Sequence, residues 1–355
     1  MNFGALKQKY FKRDECRMKF TAIDEIKVSQ LALGCMNFYS PLSIEDSEYS
    51  MDYALEKGVT LFDTARVYGA WHNVPNAMGL CERVMGGYMK KRGNRHDIVV
   101  ATKGCHPSFD NMTENRLTKR DIEFDLNESL KNLQTDYTDI WFLHRDHPDC
   151  DLFELMKVLH EQVKAGKIRV LGASNWSMKR IREANAIALE NGFTPFKVSQ
   201  IEWSMAYLEK SHLADQTTFV MDEKELEEYK KGDVALMLFS SQSRGFFQKA
   251  IAAGGFEALR EQEIASGRYD DPNALTRKYD YPCNIERIER VKELCALYKV
   301  DAAAIGLAFL TSQTEFAPIP ILGYSNVEQL KESLAHPDLQ LTPYQIKEIL
   351  GGQVL

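Results

Sequence analysis

LFDTARVYG (residues 61–69), IVVATKG (98–104) and DIWFLHRD (139–146) follow one plan. Each holds a short, nearly continuous apolar run, and each carries ionisable side chains at or just beyond the end of that run. A run of this length without alternation is how a strand buried on both faces reads. Similar runs recur at 31–34, 60–62, 97–102, 138–143, 168–172, 197–201, 233–239 and 316–320. Between them lie amphipathic segments near 47–57, 78–91, 119–133, 152–164, 178–191, 222–230, 284–298 and 326–334. Gly58, Gly166, Gly192 and Gly232 stand where helix C-terminal caps are expected. Eight strands alternating with eight helices predict an α/β fold, a parallel (β/α)8 TIM barrel spanning 1–355 as a single domain. The stretch 242–283 is too long for a simple connection and predicts a long loop after strand seven. Residues 342–350 read as a terminal amphipathic helix outside the barrel.

Composition narrows the function classes. The 355 residues are 44% hydrophobic and 27% charged, ordinary for a globular protein. A net charge of −7 argues against a nucleic-acid partner. No apolar run reaches the roughly 20 residues of a membrane span. The first twenty residues lack an apolar signal core, so a cytoplasmic location is expected. Seven cysteines without paired spacing read as reduced thiols.

In a parallel barrel the active face is formed by the C-terminal ends of the strands. Asp63 follows strand two, Lys103 ends strand three and His144 ends strand four, while Tyr68 lies five residues past Asp63. Alone, each residue has a bland reading, such as a turn aspartate or a packed tyrosine. Together they form an apparatus for proton donation. A free phenol has a pKa of about 10, and a close ammonium stabilises its phenolate. The carboxylate holds the lysine, and the imidazole hydrogen-bonds a carbonyl oxygen. Such a site protonates that oxygen while another agent delivers hydride to the carbon, half of a nicotinamide-dependent reductase. The run His144-Arg145-Asp146-His147-Pro148-Asp149-Cys150 holds ligand types for a metal. Its donors share one loop and no second cluster has zinc spacing, so no metal is expected.

The chain resembles the aldo-keto reductase superfamily over nearly its whole length. The matching stretches are KVSQLALGCM (27–36), LFDTARVYG (61–69), VVATKG (99–104), DIWFLHR (139–145), GKIRVLGASNWS (166–177), VSQIEWS (198–204), LFSSQSRG (238–245) and PIPILGYSNVEQLKES (318–333). The resemblance implies an N-terminal β-hairpin over 17–30 that plugs the barrel floor. It implies a catalytic set of Tyr68, Asp63, Lys103 and His144. It implies that Ser174, Asn175 and Gln200 bind the nicotinamide carboxamide and that Phe239 stacks on its ring, although Phe239 also reads as a strand core residue. Ser240, Gln242, Arg244 and Gly245 match the loop over the pyrophosphate, and Gly34, Cys35, Met36 and Asp63 fall beside the cofactor. At the adenosine end the family carries cations where this chain has Gly323 and Gln329, and an asparagine where it has Ser333. The local GYSNVEQL is similar to the version in potassium-channel beta subunits, which hold NADP. Ser325 and Gln329 are expected to bond a phosphate, with Arg244 or Lys249 adding charge. The expectation leans to NADP(H), with NAD(H) as the alternative. No GxGxxG follows a strand, which disfavours a Rossmann domain.

The substrate end departs from the family by an insertion after Gly69. Trp71 and His72 are expected to overhang the mouth, with Arg145, Asp146, Glu202 and Trp203 nearby. Aromatic faces with charged groups suit a sugar-like carbonyl compound. A loop ion pair between Arg145 and Asp146 is the competing reading. The expected partner is a small carbonyl compound, with no nucleic acid or membrane, and the chain a monomer or homo-oligomer. The alternative function is a non-catalytic nucleotide-binding subunit of the same fold.

Overall fold

The computed structural model of the chain describes residues 18–351. Cys16 and the first seventeen residues of the segment read for a signal lie outside the described residues. The chain opens with strands β1 (Phe20–Ile23) and β2 (Ile26–Ser29), paired antiparallel as the expected hairpin. Ile23, Ile26 and Val28 of the hairpin pack with Leu61, Ile140, Val170, Val198 and Met237 in the barrel interior, so the hairpin closes one end of it.

The barrel strands are β3 (Ala32–Gly34), β4 (Leu61–Asp63), β5 (Val99–Gly104), β6 (Thr138–Leu143), β7 (Ile168–Ser174), β8 (Val198–Glu202), β9 (Ala235–Phe239) and β10 (Ile319–Leu322). They are parallel neighbours in that order, and β10 closes the barrel onto β3. All six residues of β6 are buried, as a strand between the interior and a helix layer must be. At the closing seam the backbones come very near each other. A Cβ on Gly34 would stand 2.4 Å from the Leu322 carbonyl oxygen, so only glycine fits there.

Helices α1 (Ile44–Glu56), α2 (Leu80–Arg92), α3 (Lys119–Leu133), α4 (Leu152–Lys164), α5 (Met178–Glu190) and α6 (Glu223–Tyr229) follow the first strands, close to the expected segments. α4 shows the local logic. The Asp151 side chain accepts from the Phe153 and Glu154 amides, and Leu152, Leu155, Met156, Val158 and Leu159 are buried on one face. Gly166 ends it with φ 74°.

After β9 the structure differs in detail from the expected long loop. The connection is long, but helices α7 (Phe246–Ala253), α8 (Phe256–Ala265) and α9 (Leu275–Lys278) occupy much of it. α10 (Pro282–Tyr298) and then α11 (Ala302–Thr311) follow before β10. α11 has no amphipathic period because nine of its ten residues are buried, so periodicity does not reveal it. α12 (Val327–Ser333) and α13 (Pro343–Leu350) complete the described chain. No single helix among the described residues is long and apolar enough to cross a membrane.

Candidate active site

Strand ends of the barrel bring the four expected side chains together. Asp63 ends β4, and its neighbour β5 carries Lys103 one residue before its end. The chain leaving β4 stays tied to β5, since the Thr64 amide donates to the Ala101 carbonyl and the Arg66 amide to the Lys103 carbonyl. That path delivers Tyr68. Lys103 Nζ lies 2.8 and 2.7 Å from the two Asp63 oxygens, 2.8 Å from the Thr64 carbonyl oxygen and 3.2 Å from the Tyr68 hydroxyl. Gln200 Nε2 also donates to Asp63 Oδ1 at 2.8 Å. The His144 ring meets the Tyr68 ring edge-on, with centroids 6.0 Å apart.

The electrostatics sharpen the expected roles. Burial pushes Lys103 down, but Asp63 and then Tyr68 outweigh it and hold the ammonium above its ordinary value. Lys103 therefore stays charged. For Tyr68 the direction differs from the simple expectation. Burial pushes the phenol up, Lys103 pulls it down, and the net direction is up. The ring is half-buried at the mouth, so the push acts at the hydroxyl end beside the buried ammonium. The phenol stays protonated at neutral pH, with its proton in place. Burial, then His106 and Arg145, hold His144 well below its usual value, so it is neutral.

His144 Nδ1 is buried without a hydrogen-bond partner among the described residues. An orphaned buried N–H costs more than an orphaned lone pair, so the proton belongs on Nε2, free to donate to a carbonyl oxygen.

The sequence reading missed several members of the site. His106, two residues past β5, meets His144 edge-on at 4.7 Å between centroids. Asp125 of α3 is buried, accepts from the Cys105 amide at 2.7 Å, and pairs with Arg66 at 3.3 Å and Arg116 at 3.1 Å. It thereby locks the loop carrying Tyr68 to the strand end carrying Lys103. The signal for His106 was available, because it leaves a strand end as Tyr68 does. Asp125 gave none, because a helical aspartate reads as surface.

Rings line the mouth in sequence. Trp71 lies 6.1 Å from Tyr68, His72 lies 5.7 Å from Trp71, and Tyr39 lies 6.0 Å from His72. The insertion therefore stands beside Tyr68, as expected. Arg145 and Asp146 do not pair with each other. Arg145 donates to Thr217 Oγ1 at 2.9 Å, to Asp215 Oδ2 at 2.9 Å and to the His144 carbonyl at 2.9 Å, which ties the loop after β8 to the site. Asp146 faces Arg180 at 3.5 Å. Glu202 pairs with Lys278 of α9 at 2.6 Å, both buried, and so seats the helical insert on the barrel. Trp203 is buried against Phe309 and Phe316, so core packing and not the pocket claims it.

The residues expected at a cofactor divide in the same way. Ser174 and Asn175, at the end of β7, and Gln200, opposite Ser174 in the middle of β8, are all buried. Asn175 is largely committed to protein, donating to the His144 carbonyl and accepting from the Phe219 amide. Cys35 is fully buried beside Gly34, whereas Met36 is 46% exposed. Phe239 is half-buried and packs on the barrel core. Ser240, Ser243 and Arg244 all have left-handed backbone, with φ of 52, 52 and 53°, a costly set of turns within one short segment. Gln242 bridges this segment to the end of β10, donating to Ser333 Oγ at 2.8 Å and accepting from the Gly323 amide at 3.0 Å. Gln329 accepts from the Ser325 amide at 2.8 Å. Beyond Gly245, a groove of about 690 Å³ has Arg244, Lys249 and Arg268 in its lining together with Glu263 and Asp271.

The sequence profile of the Aldo/keto reductase family matches residues 30–351. The chain is 28% identical to the Bacillus subtilis protein named "Uncharacterized oxidoreductase YrpG", over 92% of this chain and 91% of that one. It is 26% identical to "Protein tas" of Escherichia coli over 91% and 94%. It is 25% identical to "Aldo-keto reductase yakc [NADP(+)]" of Schizosaccharomyces pombe over 91% and 87%. The closed parallel barrel, the residues gathered at its strand ends and the profile agree: the chain belongs to the aldo/keto reductase family and is an oxidoreductase.

Proposed function

We propose that the chain reduces an aldehyde or ketone to the alcohol, with Tyr68 as the proton donor. The observation that carries this reading is the Lys103 ammonium, which contacts Asp63 and the Tyr68 hydroxyl at once beside a neutral His144. His144 Nε2 orients the carbonyl oxygen by donating to it. Tyr68 transfers its proton to that oxygen, and Lys103 stabilises the phenolate left behind. Asp63 keeps the ammonium at hand and charged. Solvent at the mouth returns the proton to Tyr68.

A nicotinamide cofactor fits the residues present, and when bound it supplies the hydride. Ser174, Asn175 and Gln200 would hold its carboxamide end, and Phe239 its ring. Arg244, Lys249 and Arg268 make no ion pair with a carboxylate among the described residues, which suits phosphates. Burial, then Arg268, lower the Lys249 ammonium, Glu263 opposes them and Arg244 adds to the lowering. NADP(H) is favoured over NAD(H) on these cations, and one relative carries NADP in its name. The preferred substrate is a sugar-like carbonyl compound, since Trp71, beside Tyr68, offers an aromatic face and His72, beside Trp71, a ring nitrogen without a partner among the described residues. The free thiols among the described residues fit a cytoplasmic protein.

A screen of sugars and plain aldehydes with NADPH and NADH, followed at the nicotinamide absorbance, tests the reading. Oxidation of either nucleotide by carbonyl compounds supports it, with hydroxylated ones preferred. Nucleotide binding without oxidation by any carbonyl overturns it in favour of a regulatory subunit.

A further inference from the structure

Two imidazoles adjoin in the pocket and present opposite hydrogen-bonding character. His106 Nδ1 lies 2.6 Å from the Pro107 carbonyl oxygen. A carbonyl only accepts, so Nδ1 carries the hydrogen and, in a neutral ring, Nε2 is a bare acceptor. Burial, then Arg145, hold His106 down to about 4, so the ring is neutral at pH 7. Its Nε2 forms no hydrogen bond with the described residues. His144 is the converse, with its proton on the open Nε2, as argued above from the orphaned Nδ1.

His106 is held firmly. Phe109 tilts against its ring at 5.3 Å, and Arg116 donates to its carbonyl at 3.0 Å. Its ring centroid is 4.7 Å from that of His144, close enough for one small molecule to touch both. A carbonyl oxygen needs a donor, which His144 supplies. A hydroxyl on the neighbouring carbon needs an acceptor, which His106 supplies.

We infer that His106 is a specificity-determining residue that selects α-hydroxy carbonyl compounds, by accepting a hydrogen bond from the hydroxyl next to the reacting carbonyl. The inference rests on the proposed carbonyl reduction at the same site. A site built to bond a hydroxyl discriminates against the analogue lacking it, because its own polar group is then left unpaired.

The test compares 2-hydroxypropanal with propanal, which differ by that one hydroxyl, using the full chain and NADPH. His106→Phe keeps a flat ring against His144 and removes the acceptor. It should lower kcat/KM for 2-hydroxypropanal roughly tenfold more than for propanal, the loss of one hydrogen bond. His106→Gln, which restores an acceptor, should recover most of the difference. An equal loss for both aldehydes in both variants assigns His106 to packing and overturns the inference. An unchanged ratio in both variants overturns it also. In either case wild-type turnover leaves carbonyl reduction standing. A wild-type chain that binds NADPH but reduces neither aldehyde overturns the inference, and the wider carbonyl screen then decides the proposed reduction separately.

Discussion

The two ends of the barrel each bury a carboxylate against cations, and the difference between them separates scaffold from chemistry. At the floor, Asp139 near the start of β6 accepts from Arg95 at 2.8 Å, from the Val100 amide at 2.9 Å and from Arg169 at 2.6 Å. Arg95 spends its other donors on the Thr135 hydroxyl and the Ile98 and Tyr137 carbonyls. Every charge there is answered by protein. At the mouth, Asp63 and Lys103 are paired as closely, yet the ammonium also touches a phenol, and the neighbouring imidazoles keep nitrogens with no protein partner. A saturated ion pair holds a fold together. Bonding capacity left open beside one marks where another molecule belongs.

The contrast breaks most sharply at Tyr68. Tyr68→Phe should cut turnover by ~10²–10⁴-fold, the usual loss of a general acid, while nucleotide binding by fluorescence titration stays near normal. A variant retaining most of its activity would remove Tyr68 from its role.

Next come the two cations. Each buried ion pair should lose about 3–5 kcal/mol of stability when one partner is truncated, so Lys103→Met and Arg95→Met should both melt earlier. Only Lys103→Met should abolish turnover in the protein that remains folded. Equal residual activity in the two variants would erase the distinction between mouth and floor.

The smallest effect is on acid stability. Both His106 and His144 have folded values below the ordinary value of 6.5. The native state therefore binds fewer protons than the unfolded chain below pH 6.5, and stability is lost as the pH falls from 6.5 towards about 4. His106→Phe removes one of these terms. Denaturant unfolding between pH 7 and 4 should show a shallower decline for the variant, by on the order of 3 kcal/mol at most. Parallel curves for the two proteins would contradict the buried, neutral His106.

The barrel was legible because each strand is an unbroken apolar run and each early helix has one apolar face, local properties that survive without the partner. β6 and the helices α3 and α4 fall at the residues expected. The four side chains proposed as catalytic were legible for a related reason, since in this fold a residue at a strand's C-terminal end faces the mouth whatever surrounds it. The insert helices α7 to α9 and the almost wholly buried α11 were not, because the insert reads as one long connection and an all-apolar segment carries no period.

The sequence by itself determined the class of fold and which side chains share the active face, because both follow from periodicity and strand direction. Only the tertiary structure decided what those side chains do to one another. It sent Trp203 into the core, spent Arg145 on Asp215 and Thr217, and set His106 against His144. It also turned the Tyr68 phenol upward despite Lys103. Each of these outcomes depends on burial and on distances between residues far apart in the chain, and neither quantity is local.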